Sequence, residues 1–381
     1  MGVDDLVIKE KKKMSELLQT LLALCEEFGA SDIHLAVDER PRFRIRGSLV
    51  EKGGLAPFDM KAVDAIAMEL GMYTLPIGCP DGTEKLRVML LNEGAIDGAL
   101  TSPSGMRYRF NVFRESSHHA VALRRLDAEF RGFEELGLPA RVEGFCEETD
   151  GLVVVSGPTG SGKSTTLATI LDRINHSRAG HIITIEDPIE YVHKSSLCLV
   201  NQRQVGRDAK SFNDALVEAL RQDPDVILVG EIRDLETIRT ALRAAETGHL
   251  VFTTLHAGDC AGAVERLVSV FPSDEQNSVR RQLALVLRGI FAQRLLPKLD
   301  HTGRCPACEL LVNTTAAANL IAMGRSAQLY SVIETGGAVG MRTMDQSLCE
   351  LYAMGKISEE LAIAHSKNPE QLKERLHHAR R

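Results

Sequence analysis

No apolar run in the 381 residues approaches the roughly 20 that a helix needs to cross a bilayer. The opening MGVDDLVIKEKKKMSELLQ also lacks the continuous apolar stretch of a secretory signal. Both absences lead to the expectation of a cytosolic protein whose membrane association is peripheral only. A basic excess is missing too. The formal net charge is -7, which leaves no overall footprint for the phosphates of nucleic acid. The KEKKK run at 9–13 suits anionic lipid or, more simply, a solvated helix start. Metal-site spacing is almost absent as well. Eight cysteines are scattered along the chain, and only Cys305 and Cys308, in RCPAC, form a CxxC pair. Structural zinc needs four ligands, and no second CxxC or paired histidine stands nearby. RCPAC therefore reads as an ordinary turn and the thiols as reduced.

What the chain does have is enough length for two domains and the composition of a soluble globular protein, 44% hydrophobic and 25% charged. From residue 14, MSELLQTLLALCEEFGA places Leu17, Leu18, Leu21, Leu22 and Leu24 on one side of a helix that Gly29 can end. Short alternating segments follow: IHLAV, RFRIRGSLV, KLRVMLL, AIDGAL and MRYRFNVF. Their period of two predicts strands of a half-buried antiparallel sheet. Residues 1–127 thus read as a small α+β domain. The polar stretch that follows suits a connector, with a hinge at 128–133. The second domain is expected over 134–381. Its runs GLVVVSG, HIITIED, DVILVGE and HLVFTTL alternate with helical stretches, as in an α/β parallel sheet covered on both faces. The tail after about 290 reads as mostly helical, with ELLVN as an added strand.

The chemistry lies in that second domain. GPTGSGKST runs through Gly157, Pro158, Thr159, Gly160, Ser161, Gly162, Lys163, Ser164 and Thr165. It fits G-x-x-x-x-G-K-[ST] between a strand and a helix, the setting a phosphate-binding loop requires. Glycines let backbone N–H groups close around phosphate, Lys163 neutralises the outer phosphates and the Ser164 hydroxyl holds Mg²⁺. Glu231 ends the strand DVILVGE, where a carboxylate can bind Mg²⁺ or its water. ITIEDPIEY offers Glu186, Asp187 and Glu190 at another strand end, and chemistry alone does not choose among them as the group that activates water. His249 and His256 bracket the strand LVFTTL, a γ-phosphate sensor or two structural histidines. Arg107, Arg109, Arg114, Arg124 and Arg125 cluster on predicted strands of the first domain, and arginine can stabilise a transferring phosphoryl group.

Five segments in order resemble the PilT-type ATPases of the secretion and type IV pilus motor superfamily: GPTGSGKST, ITIEDPIEYVH, NQRQVGRDAKSF, LRQDPDVILVGEIRDLETI and TGHLVFTTLH. RLLP and MRTMDQSLCEL continue the match, and ASDIHLAVDERPRFRIRG resembles that family's PAS-like N-terminal domain. The resemblance implies a RecA-like P-loop ATPase domain behind a smaller PAS-like α+β domain. It implies ATP and Mg²⁺ as cofactors. It also implies a homohexamer at the inner-membrane base of a pilus machine, working on a platform protein, with a paralogous ATPase as a further partner. By the same resemblance Glu190 is the catalytic glutamate, Glu231 the Walker B acid, and His249 and His256 the His box. Arg109 and Arg124 match arginines that reach nucleotide across a domain or subunit boundary. One motif departs. Where retraction ATPases carry Ala-Ile-Arg-Asn-Leu, this chain has AAANL, with Ala317 and Ala318 in place of the Ile and Arg. Neither change touches the ATP chemistry. The altered helix motif favours an accessory ring aiding a paralogous motor, and an assembly or type II secretion ATPase is the other alternative.

Overall fold

The computed structural model describes residues 14–75, 79, 81–126 and 129–379. The basic run at 9–13 and residues 127 and 128 of the expected boundary lie outside them. Two compact units emerge: Met1–Ala128 with Asp187–Tyr191 and Gly206–Asp208, and Glu129–Glu186 with Val192–Val205 and Ala209–Arg381.

The first unit opens with helix α1 (Glu16–Glu27). Ser15 caps it by accepting from the Leu18 N–H, a contact of about 1 kcal/mol. Leu18, Leu21, Leu22 and Cys25 form its buried stripe at the spacing of one helical face. Strands β1 (Asp32–Leu35), β2 (Arg42–Ile45) and β3 (Ser48–Glu51) follow, then helices α2 (Met60–Gly71) and α3 (Gly82–Glu93). Strands β4 (Ala95–Thr101), β5 (Arg107–Glu115) and β6 (His118–Leu126) complete the sheet, ordered β3-β2-β1-β6-β5-β4. Every pairing is antiparallel. One face carries Phe43, Ile33, Leu123 and Phe110 in register, buried against the leucines of α1, α2 and α3. The expectation of a strand at KLRVMLL is corrected, because it lies in α3. Leu86 and Leu90 point inward four residues apart while Val88 and Leu91 are exposed, a helical period that mimics alternation over a short window.

In the second unit two short helical turns (Phe133–Leu136, Ala140–Glu143) precede strand β7 (Gly151–Ser156) and helix α4 (Lys163–Ser177). Then come β8 (Gly180–Glu186), β9 (Cys198–Gln204), α5 (Phe212–Ala219), β10 (Val226–Val229), α6 (Leu235–Glu246) and β11 (Leu250–Leu255). Helices α7 (Cys260–Ser269) and α8 (Gln276–Val286) lead to a hairpin of β12 (Leu287–Pro297) and β13 (Arg304–Val312). Helices α9 (Thr315–Ala322), α10 (Leu329–Thr335), α11 (Met344–Ala353), α12 (Glu359–His365) and α13 (Pro369–Ala379) finish the chain. The sheet runs β13-β12-β7-β11-β10-β8-β9, parallel except for the antiparallel β12–β13 pair. Leu152 and Val154 of β7 enter the apolar core on one face, Val153 and Val155 the core on the other. This two-sided burial explains the unbroken Val, Ile and Leu runs. The tail is therefore helical only from residue 315, since β12 and β13 continue the sheet beyond 290. RCPAC lies within β13 rather than in a turn. Cys305 and Cys308 are both buried in separate apolar clusters, as residues three apart on a strand face opposite ways.

Candidate active site

Parallel strands deliver their carboxyl ends to one edge of a sheet, and ligands of open α/β sheets bind there. Strands β7, β11, β10 and β8 are successive neighbours in this sheet, and each ends in a polar turn. β7, buried along its whole length, runs into Gly157. This glycine has φ +149, and a Cβ there would strike the Gln293 carbonyl oxygen and lie 2.5 Å from Ser161 Oγ. Only glycine fits. Pro158, Thr159 and Gly160 are exposed, Ser161 is buried, and Gly162 precedes the first helical residue, Lys163. Lys163 Nζ donates to the carbonyls of Gly157 at 2.9 Å and Pro158 at 3.1 Å, so its ammonium lies over the loop. Ser164 is exposed and Thr165 half-buried in the first turn of α4. The N-terminal turn of a helix, with its backbone N–H groups and dipole, is where anions can bind.

A residue invisible to motif reading holds the loop from behind. Gln293, on β12 and 2% exposed, accepts from Thr166 Oγ1 at 2.7 Å and donates through Nε2 to the Ser161 carbonyl. Its only sequence signal is a polar residue inside an apolar strand.

The segment after β11 is stitched to the same loop. Gly157 N–H donates to the Leu255 carbonyl at 3.2 Å. Ser156 Oγ donates to the Ala257 carbonyl at 2.8 Å and accepts from the Ala257 N–H at 3.2 Å. His256 lies between these anchors. Burial and the neighbouring Lys163 charge hold its imidazole below the ordinary value, against the pull of Glu231. Glu231 Oε2 lies 2.8 Å from Arg233 and 3.8 Å from His256 Nε2. Thr254 Oγ1 donates to the Gly230 carbonyl at 2.6 Å, tying the turn of Glu231 to β11. The structure brings His256, and not His249, to the loop. His249 precedes β11, and the Gly151 N–H at the start of β7 donates to its carbonyl at 3.0 Å. That is the opposite edge of the sheet, about 20 Å away at the rise of a strand. Its Nδ1 pairs with the Ala244 carbonyl at 3.0 Å and Thr247 Oγ1 at 3.2 Å, at the end of α6.

At the end of β8, Glu186 Oε1 accepts from Thr184 Oγ1 at 2.6 Å and Gln202 Nε2 at 3.2 Å. The following Asp187–Pro188 peptide is cis. Glu190 is half-buried in the Asp187–Tyr191 loop, which groups with the first unit. There the Arg107 guanidinium donates to the Ile189 carbonyl at 2.6 Å. Arg109 and Arg124 stand directly opposite one another across β5 and β6, on the sheet face turned away from the apolar core. Arg124 Nε donates to Asp32 Oδ1 at 2.8 Å, and Arg109 lies 3.6 Å from Asp97. Burial raises the Asp32 pKa, but hydrogen bonds from Ser31 and Arg124 outweigh it and hold the carboxyl below its usual range.

The AAANL segment forms α9, where Ala317 is buried in the main core and Ala318 packs against it. No group of three or more His, Cys, Asp or Glu among the described residues is arranged to hold a metal ion. No described helix is long and apolar enough to cross a membrane.

Residues 92–376 match the family described as Type II/IV secretion system protein. Over 350 residues the chain is 43% identical to the type IV pilus retraction ATPase PilT of Pseudomonas aeruginosa, spanning 92% of this chain and 98% of that one. It is 37% identical to the type IV pilus ATPase PilU of the same organism over 357 residues, 93% of this chain and 90% of that one. Among solved structures, the pilus retraction motor PilT with bound ADP matches at a TM-score of 0.81 and 43% identity, covering 94% of this chain and 99% of that one. On this likeness, and with the GPTGSGKST loop at the edge of a parallel sheet that follows a smaller α+β unit in the chain, the chain belongs to the Type II/IV secretion system family and is a PilT-type ATPase.

Proposed function

We propose that this ATPase powers type IV pilus retraction, and so twitching motility, as a homohexameric ring. Its site is the cytoplasmic side of the inner membrane at the pilus base, and its partner there is the platform protein. The observation that carries this reading is the likeness to PilT along almost the whole of both chains. Residues 157–165 hold the phosphates of ATP, with Lys163 set against the outer two. Ser164 and Glu231 fit Mg²⁺ that arrives with nucleotide, since an exposed hydroxyl and a carboxylate are the oxygen donors this ion takes. When bound, the ion offsets phosphate charge. Glu190 takes the proton of the attacking water, and His256 reads the γ-phosphate. We assign His249 a positioning role at the start of β11. Arg109 and Arg124 belong to the phosphoryl group of a neighbouring subunit's nucleotide. Hydrolysis is coupled to motion between domains 1–127 and 134–381, with the 128–133 connector as hinge.

One feature favours a second reading. In α9 the positions of the family's Ile and Arg are Ala317 and Ala318, so this helix offers no basic side chain there for force transfer. That pattern suits an accessory ring beside a paralogous motor.

The test of the chemistry is turnover by purified protein. Lys163→Ala should lose nucleotide binding, while Glu190→Gln should bind ATP and hydrolyse it at least about a hundredfold more slowly. Near-normal hydrolysis by Glu190→Gln overturns the assignment of the base.

A further inference from the structure

We infer that Gln293 is a positioning residue for the nucleotide, one amide on β12 setting the shape of the phosphate loop. The inference rests on the reading of residues 157–165 as that loop. Three contacts converge on this residue. Its Oε1 takes the hydroxyl proton of Thr166 at 2.7 Å. Its Nε2 donates to the Ser161 carbonyl. Its own main-chain carbonyl occupies the space a side chain at 157 would need. Ser161 and Thr166 flank Lys163 and Ser164, so the amide fixes the separation between the last turn of the loop and the first turn of α4. Both ends of the amide are needed, because one accepts and the other donates. Among the described residues no other side chain has both of these bonds to the loop and its helix.

The arrangement lies behind the loop, away from its exposed tip at 158–160, so Gln293 acts through the loop and not on phosphate. Its loss should loosen the convergence of backbone N–H groups and weaken binding more than it slows chemistry. Leaving a buried donor or acceptor unpaired corresponds to roughly tenfold or more in an equilibrium constant.

The experiment measures Mg²⁺–ADP affinity and steady-state ATP hydrolysis on the full chain, with the melting temperature of the nucleotide-free protein alongside. The variants are Gln293→Leu, Thr166→Val, Thr166→Ser and the Gln293→Leu/Thr166→Val pair. Expected is about tenfold weaker ADP binding in Gln293→Leu, with KM for ATP rising by more than kcat falls. Thr166→Val should share the loss, Thr166→Ser should restore affinity, and the double variant should be little worse than Gln293→Leu alone. Wild-type affinity in Gln293→Leu overturns the inference. So does a loss that Thr166→Ser shows as strongly as Thr166→Val. Should Gln293→Leu not fold, the two Thr166 variants decide the matter in the same way. Lys163→Ala serves as the separate control: unchanged ADP binding there would overturn the phosphate-loop reading itself.

Discussion

His256 Nε2 lies 3.8 Å from Glu231 Oε2, and Arg233 meets the same carboxylate oxygen at 2.8 Å. The acid at the end of β10 and the histidine at the end of β11 therefore share one electrostatic environment with Lys163. Burial and the Lys163 charge lower the His256 pKa, so the imidazole is neutral near pH 7. Protonation would add a positive charge where those of Lys163, Arg233 and Arg266 already stand.

This gives a pH dependence of definite sign. A histidine with a lowered folded pKa leaves more protons on the unfolded chain, so stability rises with pH across the window. The contribution is present above the ordinary value of 6.5 and is lost as pH falls through the lowered folded value. His193, pushed down to about 4 by burial, acts in the same direction. Melting temperatures followed from pH 8 to about pH 4 should fall less steeply in His256→Gln than in wild type, with His193, His34 and His365 and the lowered carboxylates of Asp32, Asp259 and Glu265 contributing to the remaining slope. Parallel curves would refute this account of His256.

Two glycines of the loop should respond differently to the same substitution. Gly157→Ala drives a Cβ into the Gln293 carbonyl and Ser161, whereas a Cβ at Gly160 meets nothing within 4 Å. Gly160→Ala should cost only the strain of its positive φ, about 1–2 kcal/mol, and should still bind ADP. Gly157→Ala should lose ADP binding. Calorimetric titration of both variants checks the contrast, and equal affinities would contradict it.

The loop was legible in the sequence because its glycines, lysine and hydroxyls are consecutive and sit between a strand and a helix. Gln293 was not, since it meets the loop only after more than 130 residues of intervening chain fold into place. The two histidines looked equivalent on paper. They separate because a strand of six residues spans the sheet and sends its ends to opposite edges. In the first domain the strands at AIDGAL and MRYRFNVF could be read from alternation, while KLRVMLL could not be told from a helix over seven residues. ELLVN, read as an added strand, covers the end of β13, whereas β12 was masked by α8, whose helical pattern runs directly into it.

Arginines in trans make a further prediction. Arg109 and Arg124 face one another on the polar side of the first sheet, and their proposed target is nucleotide on another subunit. Arg109→Ala should lower turnover without lowering the melting temperature. Mixed with Lys163→Ala, it should recover part of the lost activity, because each subunit supplies what the other lacks. A monomer at high concentration with ATP and no recovery on mixing would overturn the shared site.

The most direct test of the central claim is the length of individual labelled pili, recorded over time in cells that lack the gene. Cells carrying wild-type protein serve as one comparison and cells carrying Lys163→Ala as the other. The account predicts pili that still form but persist or retract weakly, with normal retraction restored by wild type and not by Lys163→Ala. Cells without any pili would place the protein among assembly motors, and normal pilus dynamics in the deletion would contradict a role in retraction.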